Sequence, residues 1–117
     1  MPGPTLTFID TSADETEAIA VSRSCKLRYI EVSNVVADTY FLQLFDATST
    51  DDFTLGATTP KQSFAIPKGD GTDFGILDMY FDPNGIDFQA GIGYAVTTSA
   101  TGSGAPSTAV VLNLGYE

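Results

Sequence analysis

The chain contains no histidine, no tryptophan, a single cysteine, and five cationic side chains against fifteen acidic ones. Each scarcity removes a class of chemistry. Without histidine there is no Ser–His–Asp or Cys–His arrangement, and the commonest general base and metal ligand are missing. One cysteine cannot assemble a zinc site without histidine. Cys25 also has no partner for an internal disulfide, so it sets no redox compartment. A formal charge of −10 works against nucleic acid, whose binders use cations to displace counterions from phosphates. No apolar run approaches the about 20 residues of a membrane-spanning helix. Met1-Pro2-Gly3-Pro4 lacks the basic and apolar regions of a secretory signal, so the expectation is a chain made in a cytoplasm. Neither nucleic acid nor membrane is expected as a partner.

What is present is β-forming. The 117 residues suit one domain, and a chain of this size buries about two-thirds of its unfolded surface on folding. There are 15 Thr, 9 Ser and 11 Gly, with 13 aromatic residues; Thr and aromatics favour pleated strands, and Gly punctuates them. Strands are expected near residues 17–24, 26–34, 39–46, 62–66, 74–81, 86–88, 91–99 and 108–116. The run from Thr39 to Asp46 is apolar on both faces apart from Gln43, so it is either buried twice or faces a partner subunit. Ala47 to Pro60 is a long polar loop with Phe53 and Leu55 as its anchors. Val110, Leu112, Leu114 and Tyr116 alternate inward, and Gly91 to Ser99 alternates too, with Ile92, Tyr94, Val96 and Thr98 on one face and Gly93, Ala95, Thr97 and Ser99 on the other. Ser12-Ala13-Asp14-Glu15 has the form of a helix capping box, which competes with the strand over 17–24.

About eight short strands separated by turn signals read as an antiparallel β-sandwich, of jelly-roll or immunoglobulin-like type. Residues 16–117 form the sandwich domain in this reading. Residues 1–15 read as an extended N-terminal arm, with Leu6, Phe8 and Ile9 seeking a surface to lie on; a first strand of the same sheet is the competing reading.

Fifteen acids offer many carboxylate pairs, Asp78 with Asp82 among them, but none lies in a motif that raises one pKa for acid–base work. Ser63 near Lys61 or Lys68 is an ordinary strand-edge arrangement. Calcium is the one ion with donors to offer it, at Asp70-Gly71-Thr72-Asp73 or across Asp46, Asp51 and Asp52. Both places lack EF-hand spacing and read first as Asx-rich turns. No other cofactor is expected. Cys25 reads as a small strand residue. The cations Arg23, Lys26 and Arg28 cluster; cross-strand pairing with Glu17 or Glu31 competes with contact to an acidic neighbour, another copy included.

Three stretches carry a likeness to a known family: Leu27-Arg28-Tyr29-Ile30-Glu31-Val32-Ser33-Asn34, Tyr40-Phe41-Leu42-Gln43-Leu44-Phe45-Asp46-Ala47, and Thr59 through Gly69. With the later Phe88-Gln89-Ala90-Gly91-Ile92-Gly93-Tyr94-Ala95-Val96-Thr97-Thr98, they resemble small tailed-phage and prophage virion proteins. The likeness covers roughly residues 16 to 116 and is one of strands and turns, with no catalytic signature. It implies a β-sandwich and a non-enzymatic role as a capsid cement or decoration subunit. It also implies the major capsid protein as partner, a homotrimer, and a place on the virion surface. On that reading Leu6, Phe8 and Ile9 grip the shell, and Phe41, Gln43 and Phe45 with Arg23, Lys26 and Arg28 meet another subunit. The alternative is a carbohydrate- or receptor-binding module of a phage fibre or surface protein, stacking sugars on Tyr40, Tyr80 and Tyr94.

Overall fold

The computed structural model describes residues 5–81 and 83–117. Nine strands follow one another: β1 (Leu6–Ala13), β2 (Ala18–Val21), β3 (Cys25–Asn34), β4 (Tyr40–Asp46), β5 (Gln62–Ile66), β6 (Gly75–Tyr80), β7 (Ile86–Phe88), β8 (Ile92–Thr97) and β9 (Val110–Tyr116). All pairings are antiparallel. The first sheet runs β1-β9-β3-β6, with β7 also pairing β3, and the second runs β2-β8-β4-β5. If β7 is set aside, the partners are first with last, second with next-to-last, and so inward to β4 with β5. That is a long hairpin wrapped into two sheets, the connectivity of a jelly roll.

The inward faces alternate as the sequence suggests. Leu27, Ile30 and Val32 of β3, Leu42 and Leu44 of β4, and Leu112 and Leu114 of β9 are fully buried with Ile66, Phe88, Ile92 and Val96 in one core. In β3 the alternation slips once. Leu27 faces Tyr116 and Tyr29 faces Gly115, so Arg28 is an extra residue bulged out of the ladder with β9. The bulge puts Leu27 on the same face as Ile30, where strict alternation expects it opposite.

The expected arm follows the competing reading. Leu6–Ala13 is an edge strand paired with β9 from Leu6↔Tyr116 to Ala13↔Val110. Met1–Pro4 lies outside the described residues. The inward side chains of β1 close one side of the sandwich. Phe8 packs edge-on against Tyr94, with ring centroids 5.5 Å apart. The Tyr94 hydroxyl donates to Asp10 Oδ2 at 2.6 Å, joining the two sheets. Burial above all, then this bond to Asp10, pushes the Tyr94 phenol above its ordinary range. The capping box forms no helix. Asp14 Oδ1 instead accepts from the Thr16 N–H at 2.9 Å, an Asx turn between β1 and β2, and the Asp14 carbonyl accepts from Val96 N–H.

The two-sided apolar strand is resolved by the chain's own loops. Phe45 points out of the second sheet and stacks on Phe53, with ring centroids 4.2 Å apart, beside Ile19 and Leu55. Gly93 makes room: a Cβ there would lie 2.6 Å from the Phe53 ring. Gln43, also pointing outward, lies under the 98–107 loop, donating to Thr97 Oγ1 and to the Ser99 and Gly102 carbonyls. Ser63 donates to the Ala100 carbonyl beside it.

At the opposite end from that loop, the Asp46 carboxylate accepts from the backbone N–H groups of Gln89, Ala90 and Gly91. Partial burial raises its pKa, but the three N–H donors, with Lys61 nearby, outweigh burial and leave it below the usual carboxylate range.

Two outcomes follow. Tyr94→Phe should lower stability by about 1.5 kcal/mol, the low end for a bond to a charged group, as measured by urea unfolding. Asp46→Ala should cost about 1 kcal/mol, as for loss of a capping carboxylate. Because the folded pKa of Asp46 is depressed, its contribution is complete above the ordinary carboxylate value of about 4 and lost below it. The gap between wild type and Asp46→Ala in melting scans should therefore close as pH falls under about 4.

Candidate interaction surface

The two sheets differ in how their outer faces are treated. On the second sheet, Gln43, Phe45, Gly93, Ala95 and Thr97 are all buried. On the first sheet, no segment among the described residues lies over the outer face. Its side chains are set by cross-strand register: Tyr29↔Tyr80, Glu31↔Asp78 and Ser33↔Ile76 between β3 and β6, and Ile9↔Asn113 between β1 and β9. Phe74, just before β6, continues the alternation of Ile76, Asp78 and Tyr80. Four large apolar groups stand free there: Ile9 at 58% exposure, Phe74 at 59%, Ile76 at 54% and Tyr80 at 67%.

One end of this face carries an aromatic band. The Tyr29 ring lies across β9 over Gly115, where a Cβ would fall inside it. Its hydroxyl is 3.2 Å from Thr7 Oγ1 of β1, and its other side meets Tyr80 with centroids 5.5 Å apart. Next to the band, Glu31 and Asp78 face each other across the ladder. Directly opposed like charges destabilise a sheet. Both are exposed, and among the described residues neither has an ion pair or side-chain hydrogen bond.

The cations sit elsewhere. Lys26 pairs with Asp87 at 2.9 Å. Arg28 donates to the Pro83 carbonyl at 3.0 Å and lies 3.7 Å from Glu117. Arg23 holds its guanidinium 5.5 Å from the Tyr116 ring centroid and donates to the Ser24 carbonyl. The basic trio is thus paired within the chain, with Asp87 and Glu117 in place of the expected Glu17 and Glu31.

The other candidate residues are dispersed. Phe8 is partly buried, packed against the core, while Leu6 and Ile9 stay exposed. Gln43 and Phe45 are withdrawn from any partner by the covering loops, leaving Phe41 half-buried. Tyr40 and Tyr94 are buried, so of the three expected stacking tyrosines only Tyr80 is presented. The expected partner for Asp78, Asp82, lies outside the described residues. Asp70 Oδ1 accepts from the Thr72 and Asp73 N–H groups, so that carboxylate orders a turn. Cys25 is buried, and burial raises its thiol pKa. Among the described residues no three His, Cys, Asp or Glu side chains converge as a metal cluster.

A shallow depression of about 330 Å³ is lined by Asp38, Thr39, Tyr40, Thr98, Ala105 and Ser107. Tyr40 and Ser107 hydroxyls bond each other at 2.8 Å, and the Ser107 N–H also donates to Tyr40, so these two side chains are already engaged with each other.

The Tyr29–Tyr80 and Glu31–Asp78 pairs escaped the sequence reading. Each joins residues about 50 positions apart through register, which alternation alone does not set. The searchable signal was Glu31 and Asp78, each a charge within a strongly β-forming run.

No protein-family model, curated protein or solved structure matches the chain.

Glu31→Gln should raise stability, by about 0.2–1 kcal/mol, because it removes a like-charge pair and no contact. The gain should shrink as salt is added. A loss of stability in urea melts would show that Glu31 has a structural partner.

Proposed function

We propose that the chain is a non-enzymatic virion structural protein, a decoration subunit that docks on a capsid shell through the outer face of its first sheet. The observation that carries this reading is the asymmetry of covering: long loops seal one sheet while the other leaves Ile9, Phe74, Ile76 and Tyr80 free. Large apolar groups left exposed on one uncovered sheet face, with Phe74 and Ile76 neighbours on it, point to a contact surface. The resemblance of residues 16 to 116 to tailed-phage virion proteins supplies the kind of partner, the major capsid protein. The jelly-roll connectivity agrees by analogy of fold alone. With Gln43 and Phe45 covered, contacts between copies in a trimer fall to Phe41 and to the end bearing Arg23, Lys26 and Arg28.

A second reading, a carbohydrate-binding module, is favoured by the exposed Tyr80 beside Tyr29 with two carboxylates adjoining. Stacking on a ring and hydrogen bonding to acids is how sugars are held. It predicts saturable binding of oligosaccharides that quenches tyrosine fluorescence.

The decoration reading is tested on particles released by the cell that encodes the chain. The tagged chain should band with particles in a density gradient and be found in them by mass spectrometry. The Ile76→Thr/Tyr80→Thr variant should lose particle binding at least tenfold. Its stability should fall by no more than about 0.5 kcal/mol at exposed Ile76 and about 1 kcal/mol at Tyr80, which loses its cross-strand pairing with Tyr29. A chain absent from particles, or a variant that binds like wild type, would overturn the reading.

A further inference from the structure

We propose that the outer face of the first sheet seats an arginine of a partner polypeptide, held between Glu31 and Asp78 against the ring of Tyr80, with apolar partner side chains lying on Ile76 and Phe74. The proposal rests on the reading of this face as the docking surface and names what docks there.

The argument begins with the carboxylate pair. Glu31 and Asp78 are directly opposed in the β3–β6 ladder, so both side chains leave the same face about 5 Å apart at Cβ. Two negative charges so placed repel each other, and among the described residues no cation is paired with either. Lys26 and Arg28 are engaged at the β7 end, and Arg23 lies against Tyr116. A cation arriving from outside converts the repulsion into two attractions.

The neighbouring pair decides which cation fits. Tyr80 and Tyr29 are the next opposed pair on the same face, and Tyr80 presents most of its surface to solvent. A guanidinium is flat, stacks on an aromatic ring, and carries N–H donors on more than one edge. It can therefore rest on Tyr80 and donate to both carboxylates at once, which a compact ammonium cannot match. On the other side of the acids stand Ile76 and Phe74, exposed and apolar. The complementary segment is accordingly an arginine flanked by apolar residues.

A second copy of this chain fits poorly through the same face. Two such faces together would bring four carboxylates into contact on molecules that each carry −10. A metal ion is also disfavoured as the occupant, since among the described residues no third carboxylate joins the pair.

The test is an amide-resolved NMR titration of the full chain with the peptide acetyl-Ser-Val-Arg-Val-Ser-amide. The control is the same peptide with citrulline, the uncharged isostere, in place of arginine. The expected result is saturable shifts confined to residues around Tyr29, Glu31, Ile76, Asp78 and Tyr80, at least tenfold weaker with citrulline. Glu31→Gln/Asp78→Asn should weaken binding by a similar factor while its melting temperature stays at or above that of wild type. Equal binding of both peptides would overturn the proposal, as would shifts centred elsewhere. Two further results would also overturn it: the same shifts appearing on concentrating the chain alone, which would make a second copy the occupant, or oligosaccharide binding at Tyr80 that ignores the double substitution. Particle binding that survives Glu31→Gln/Asp78→Asn would refute the arginine seat and leave the decoration reading standing. Peptide binding in a chain that never joins particles would do the reverse.

Discussion

A strand that is apolar on both faces has to be covered twice, and β4 sets that requirement for the whole molecule. Its inward face meets the core through Leu42 and Leu44. Its outward face, Gln43 and Phe45, needs cover that a two-layer sandwich does not supply. The chain meets the need with its two long connections. The 47–61 segment brings Phe53 down onto Phe45, and the 98–107 segment brings carbonyls down onto the Gln43 amide. β8 lies between them and is buried along its whole length. Once these loops are committed to the second sheet, no comparable segment among the described residues remains for the first. The bare face of the first sheet is therefore a consequence of how β4 is satisfied.

That bare face would be a liability if it only exposed apolar surface next to open sheet edges. Several features limit the hazard. Edge strand β1 shifts register between Asp10 and Ala13, which breaks the straight template that another strand would need. Glu31 and Asp78 interrupt the apolar stripe with charge. The Tyr29 ring is laid flat over Gly115 instead of standing free. The groups that interrupt the apolar surface also give the face chemical character, the combination expected of the docking surface proposed above.

Much of the fold was legible in the chain because alternation and turn residues agree at most positions. The expected spans at 62–66 and 86–88 coincide with β5 and β7. Phe53 and Leu55 anchor the long loop as their isolation in a polar stretch suggested. What escaped was long-range. The Arg28 bulge is invisible in a β-rich run, because Leu27-Arg28-Tyr29-Ile30 offers apolar candidates to either face. Residues 6–13 carry the same Thr/apolar pattern whether they lie on a neighbouring shell or on β9. The difference is the partner strand, more than 100 residues away in sequence at Leu6↔Tyr116. Phe41, Gln43 and Phe45 were recognised as needing cover, but the identity of that cover depends on loop conformation.

The scarcity of cations, first of use for excluding nucleic acid, acquires a structural meaning. Three of the five lie around one end of the molecule, where Lys26 meets Asp87, Arg28 meets Glu117 and Arg23 meets Tyr116. Lys61 lies over the Phe88 ring and near Asp46. A protein with fifteen acids and five bases leaves most carboxylates without a counter-charge. In loops, water serves as well. On a strand pair whose partners are locked opposite each other by register, repulsion cannot be relaxed by moving apart. Glu31 and Asp78 are in that position, beside an exposed ring and two exposed apolar groups. A partner that brought positive charge would remove a cost already built into the free protein, so the same residues that weaken the isolated sheet would strengthen the proposed complex.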